Sequence, residues 1–149
     1  MIRIDVDDRR VVEALNELIQ RGHNPRPALQ EIGEYLITST KQRFRDRKAP
    51  DGTPWAPNAP LTIARKGNRD EPLIGETGRL RNEIRYRVSG SGIEWGSNLA
   101  YAAMQQFGGQ KENYPHLRGD IPARPFLGLS EEDETTALEI VNDWLAEAL

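Results

Sequence analysis

Five prolines (Pro50, Pro54, Pro57, Pro60, Pro72) and three glycines (Gly52, Gly67, Gly75) fall between residues 49 and 75. Proline has no amide proton to give a helix or ladder, and glycine favours turns, so this stretch is expected to break any regular element. The chain is thereby split into an opening and a closing set of elements. The loop between them has a length that compact domains reserve for function or leave disordered. Only Trp55, Leu61, Ile63, Leu73 and Ile74 offer apolar anchors in it. Trp55 is expected to pin one end, and residues 64–71 to be mobile.

Before the loop, Ile2, Ile4 and Val6 alternate with Arg3 and Asp5, which is the period of a half-buried strand. Asp7 and Asp8 offer an N-cap to a first helix over about residues 9–21, with Val11, Val12, Leu15, Leu18 and Ile19 at helical spacing and Gly22 as the stop. Asn24 and Pro25 read as the cap and first position of a second helix. Leu29, Ile32, Leu36, Thr40 and Phe44 share one face of it, and it is expected to end near Phe44 or Arg45. Gly33 is small enough to let another helix cross closely. The basic end of this helix, Lys41 to Lys48, suits the helix dipole.

After the loop, Thr77-Gly78-Arg79-Leu80 makes a short turn. Ile84, Tyr86 and Val88 alternate with Arg85 and Arg87; Ser89-Gly90-Ser91-Gly92 reverses the chain, and Ile93 and Trp95 return, giving a hairpin. Residues 99–107 read as a short helix ended by Gly108-Gly109, and residues 110–120 as a polar loop. Pro122 and Pro125 make residues 121–127 extended and place them at a sheet edge or outside the sheet. Ser130 and Asp133 form a near capping box, acids Glu131 to Glu134 fill the first turn, and Leu138, Val141, Trp144, Leu145 and Ala148 stripe the last helix. The expected architecture is one α+β domain: a small antiparallel sheet against an N-terminal helical hairpin and a C-terminal helix, with a long Pro-rich loop.

Chemistry is hard to find in this chain. There are no cysteines, which excludes disulfides, thiolate metal sites and cysteine nucleophiles. His23 and His116 have no metal-spaced partners beside them, so neither metal nor cofactor is expected. Gly75-Glu76-Thr77-Gly78 lacks the Lys-Ser/Thr pair of a phosphate loop. Asp7/Asp8 and Asp70/Glu71 read as a helix cap and loop solvation rather than paired acid–base catalysts. No apolar run approaches the roughly 20 residues that span a bilayer, and the start of the chain carries acids where a signal peptide would be apolar. A soluble, non-enzymatic protein of the cytosol is expected.

Charge is distributed unevenly. Residues 41–87 hold twelve Lys or Arg against six Asp or Glu, a balance of +6, so the remainder carries −9 within a total of −3. From Gly128 onward there are seven acids and no base. Opposite patches steer surfaces together. The candidate contact residues are therefore Arg43, Arg45, Arg47, Lys48, Trp55, Arg65, Lys66 and Arg69 on one side, and Glu131, Glu132 and Glu134 on the other. The basic set could also meet phosphates non-specifically, as a nucleic-acid-binding accessory protein would, although no base-reading motif is present.

The order of the motifs carries more information than any single one. Phe44 is followed by Pro50-Asp51-Gly52-Thr53-Pro54-Trp55, then Lys66, then Leu73-Ile74-Gly75-Glu76-Thr77-Gly78-Arg79-Leu80. Next come Trp95-Gly96-Ser97, Tyr101-Ala102, Gln106-Phe107-Gly108-Gly109, and Ile121-Pro122-Ala123-Arg124-Pro125-Phe126-Leu127-Gly128. Over about residues 30–149 this series resembles the phage virion morphogenesis family, the Mu-like G proteins and related tail-completion proteins of tailed bacteriophages. The resemblance implies a structural role in tail completion, tail termination or head–tail joining within the virion, assembled in the host cytoplasm. It further implies a ring-like homo-oligomer, hexameric in similar connector proteins, with other tail or neck proteins as partners and no catalytic residues.

Overall fold

Helix α2, Arg26–Asp46, is the spine, and at 21 residues it extends about 31 Å. The computed structural model describes residues 8–75, 77–90 and 92–147; the strand expected from Ile2, Ile4 and Val6, and the stripe position Ala148, lie outside them. Asn24 caps α2 as its sequence suggests, its Oδ1 accepting from Arg26 N at 3.0 Å. Arg47 closes the helix in the left-handed region (φ 55°).

Helix α1, Arg9–Gln20, is capped by Asp8, whose carboxylate accepts from Arg10 N and Val11 N. Its Leu15 packs with Leu29, Ile32 and Leu36 of α2 and with Ile140 and Val141 from the final helix. A second cluster gathers Phe44 at the far end of α2 with Trp55, Leu80, Ile84, Ala102, Phe126 and Leu127. Phe44 meets Trp55 edge-on at 5.4 Å and Phe126 at 5.7 Å. Each large side chain fully buried in this way contributes roughly 1.5–3 kcal/mol. Helix α2 therefore belongs to both cores.

The Pro-rich loop contains a helix that the proline argument did not anticipate, α3 at Pro60–Arg65. Pro60 occupies its first turn, where a missing amide proton costs nothing. Residues beyond it fold back on themselves: Asn68 N donates to Ile63 O, and Lys66 Nζ to Glu71 O at 2.7 Å. Helix α4 is a single turn, Arg79–Asn82.

Strands β1, Arg85–Ser89, and β2, Gly92–Gly96, pair antiparallel as the expected hairpin, with Tyr86 opposite Trp95. The hairpin lies on α2. What approaches Gly33 is the ring of Tyr86, not a crossing helix, and a Cβ at Gly33 would overlap that ring. Tyr86 Oη then donates to Glu34 Oε1 at 3.0 Å. Helix α5 spans Ala102–Phe107, starting later than expected, and α6 spans Glu131–Glu147.

The capping box of α6 forms: Asp133 N donates to Ser130 Oγ, and Ser130 N to Asp133 Oδ2, each at 3.0 Å. Asp133, however, is not a solvated acid of the first turn. It is 1% exposed and ion-paired with Arg43 of α2. Ser39 Oγ and Tyr35 Oη also donate to its Oδ1, at 2.6 and 3.0 Å. Arg43 Nη1 donates onward to Phe126 O at 2.9 Å. Burial lowers the proton affinity of the Arg43 guanidinium, and the Asp133 charge opposes that effect. Burial likewise raises the Tyr35 phenol, which keeps its proton for Asp133.

Two outcomes follow for unfolding in urea. Gly33→Ala gains about 1 kcal/mol of helix propensity but meets the Tyr86 ring, at a cost of about 1–3 kcal/mol; a net loss of stability is expected, and Gly33→Ala with Tyr86→Ala should recover the propensity gain. Asp133→Asn leaves a buried guanidinium without its counter-charge and should cost about 3–5 kcal/mol, whereas Arg43→Met with Asp133→Leu removes the stranded charge but leaves Tyr35 Oη, Ser39 Oγ, Ser130 N and Phe126 O without these partners, and should recover only part of that loss.

Candidate interaction site

The motifs that are scattered in sequence meet in space around residues 121–127. That segment is extended, as its prolines require, and is held from several sides. Gly109 and Ile121 exchange backbone bonds at 2.9 and 2.7 Å, and Arg124 N donates to Gln105 O. Gln106, 5% exposed, accepts from Phe126 N and Leu127 N through Oε1 and donates to Leu127 O through Nε2. Trp55 Nε1 donates to Pro125 O at 2.7 Å, which is the pin expected of this tryptophan. Gly128 (φ +145°) lies where a Cβ would come within 2.9 Å of Pro50 Cγ. Arg124 itself reaches back to the loop, with Nε on Ala56 O at 2.7 Å and Nη2 on Pro57 O at 2.9 Å.

Beside this strap opens a cleft of about 590 Å³. Lys66, Arg79 and Arg124 contribute positive charge to it, and Asp120 contributes negative charge. Leu73, Leu80, Ile121, Pro122 and Tyr101 supply apolar wall. A broader hollow of about 740 Å³ shares Asp120, Ile121 and Pro122 and is edged by Phe107 and Tyr114. Arg124 is 7% exposed, and burial lowers its proton affinity with no carboxylate opposing the effect. Lys66 is also lowered by burial first, with Glu71 acting against it and Arg69 and Arg124 adding to it.

The charged residues singled out from the sequence separate into distinct settings. Arg43 is buried in the Asp133 pair, which withdraws it from the surface. Trp55 is buried as an anchor. Arg47 pairs with Asp70 at 3.2 Å, closing the base of the loop. Arg45, Lys48, Arg65 and Arg69 are exposed, and Lys66 lines the cleft. Glu131 and Glu132 are exposed on α6, while Glu134 lies 3.7 Å from Arg10. Arg124 was not among those contact candidates. Its signal was an arginine between Pro122 and Pro125 in an extended run. Among the described residues, no three His, Asp or Glu side chains gather as a metal site, and no helix is long and apolar enough to cross a membrane. The buried titratable set of Arg43, Asp133 and Tyr35 does not line the cleft.

An α+β domain results whose motif residues are occupied in fastening one segment to another. The chain belongs to the phage virion morphogenesis family, which it matches over residues 6–146. The resemblance carried by the motifs is thus confirmed and extends into the opening helices. The chain is 32% identical over 117 residues to tail completion protein S of Escherichia phage P2, covering 74% of this chain and 77% of that one. It is 28% identical over 145 residues to the Mu-like prophage FluMu G protein 2 of Haemophilus influenzae, covering 97% and 96%. Protein G of Escherichia phage Mu is 28% identical over 152 residues, covering 99% and 96%. No solved structure matches the chain.

Gln106→Leu keeps the volume near that of glutamine but orphans two buried amide protons and one carbonyl. Urea unfolding should show a loss of about 2–5 kcal/mol; a loss under 1 kcal/mol would mean that Gln106 does not fasten the strap.

Proposed function

We propose that this chain is a structural component of virion assembly, acting by surface contact in completing the tail or joining it to the head. The observation that carries this reading is the match to the virion morphogenesis family along nearly the whole chain. The use of its motif residues as internal fasteners supports it, because little of their polar capacity is left for acid–base work. The chain works without catalysis, with other virion proteins as partners, and is assembled in the host cytoplasm. Copies of it associate head-to-tail, since the cationic middle and the acid-only end are complementary, and such contacts close into rings when the rotation allows, a hexamer on the connector analogy. Contact of the exposed Arg45, Lys48, Arg65 and Arg69 with DNA would be non-specific and secondary.

Light scattering across protein concentration and salt tests self-association. Assembly is expected at low salt and should weaken as the screening length falls from about 30 Å at 0.01 M to about 8 Å at 0.15 M. A strict monomer at high concentration and low salt would remove self-association from the reading.

A further inference from the structure

The cleft holds a buried cation, Arg124, to which no carboxylate is bonded among the described residues. Arg124 has five N–H donors. It spends two side-chain bonds on neutral backbone carbonyls of Ala56 and Pro57, and no carboxylate lies within ion-pair distance of it among the described residues. Lys66 lines the same cleft, and its ammonium donates to the backbone carbonyl of Glu71. Lys66, Arg79 and Arg124 outnumber Asp120 in this partly apolar hollow, and Arg79 is paired with Glu83, so a carboxylate brought between Lys66 and Arg124 is attracted. Tyr101 on the cleft wall, and Phe107 and Tyr114 on the adjoining hollow that shares Asp120, Ile121 and Pro122 with it, are 46%, 61% and 42% exposed, half of the six large hydrophobic side chains exposed among the described residues. Exposed aromatic side chains beside a buried polar centre have the composition of an interface.

The same chain carries the matching charge. Glu131 and Glu132 stand exposed in the first turn of α6, with no hydrogen bond or ion pair among the described residues, and from Gly128 onward no base accompanies them. No residue of α6 lines the cleft, so the two surfaces are separate patches. We infer that the Lys66–Arg124 cleft is the socket for a second copy of this chain, which presents its Glu131–Glu132 turn. This deepens the self-association proposed above and rests on it. A projecting carboxylate suits a hollow of this volume better than a duplex backbone, which would run across an open surface.

The test uses full-length chains in sedimentation velocity at low salt. Lys66→Glu spoils the socket, and Glu131→Lys with Glu132→Lys spoils the turn. Both changes are on partly or fully exposed side chains, far-UV circular dichroism checks folding, and Lys66→Gln serves if Lys66→Glu misfolds. Each variant alone should associate at least about tenfold more weakly than the parent. Mixed in equal amounts they should form a one-to-one dimer, because one supplies an intact turn and the other an intact socket. Variants that associate like the parent would overturn the socket while leaving self-association standing. A weakened Lys66→Glu variant with no dimer in the mixture would show that the turn is not the occupant. A monomeric parent would sink both readings. Binding of a duplex DNA fragment that Lys66→Glu abolishes would assign the cleft to phosphate and overturn the inference.

Discussion

The Arg43–Asp133 pair is the interaction on which the rest of the structure depends. It joins the middle of the chain to its last helix, caps that helix, and hands a hydrogen bond to Phe126 O. Helix α2 is thereby fixed, by two side chains, to the strap and the final helix more than eighty positions away. A buried pair is weak evidence of net stability, since desolvation offsets much of the attraction. What it secures here is uniqueness of arrangement: another helix register would strand one charge in the interior. Tyr35 and Ser39 fill the remaining acceptor sites of the carboxylate, so the group is satisfied and not merely neutralised.

The two cores have different characters. The cluster between α1, α2 and α6 is a helix contact of ordinary aliphatic side chains. The cluster at Phe44 gathers residues of loops (Ala49, Trp55, Phe126, Leu127) with single residues of α2, α4 and α5 around aromatic rings. Its order comes from directional bonds, because a loop cannot repeat a packing pattern. This explains a hydrophobic fraction of only 37% in a chain with two cores. Gln106, Trp55 and Arg124 do with hydrogen bonds what apolar layers do in the helical half.

Periodicity made the local parts legible. The Asp8 and Asn24 caps and the Ser130–Asp133 box follow from residues within four positions of one another, and the hairpin from the alternation and turn within residues 85–96. The partnership of Arg43 with Asp133 did not, because ninety positions separate them and each has a bland local reading, a helix-end cation and a first-turn acid. Helix α3 was hidden by reading Pro60 as a breaker, when its position relative to Ala59 makes it a starter. Gly33 pointed to a close helix crossing, and the ring of Tyr86 arrives there instead, because a glycine cannot say whether a helix or an aromatic ring will come. The cleft was invisible for the same reason as the ion pair. Its walls come from the loop, α4, α5 and the strap, and no window of sequence contains more than a fragment of it.

Arg124 grips the loop by the carbonyls of Ala56 and Pro57, groups that every amino acid possesses. The fastening is therefore indifferent to which side chains stand at those two positions. Substitution there can alter the outer surface of the loop while its anchorage persists, so that a particle protein can drift to follow a changing neighbour without dismantling its own fold.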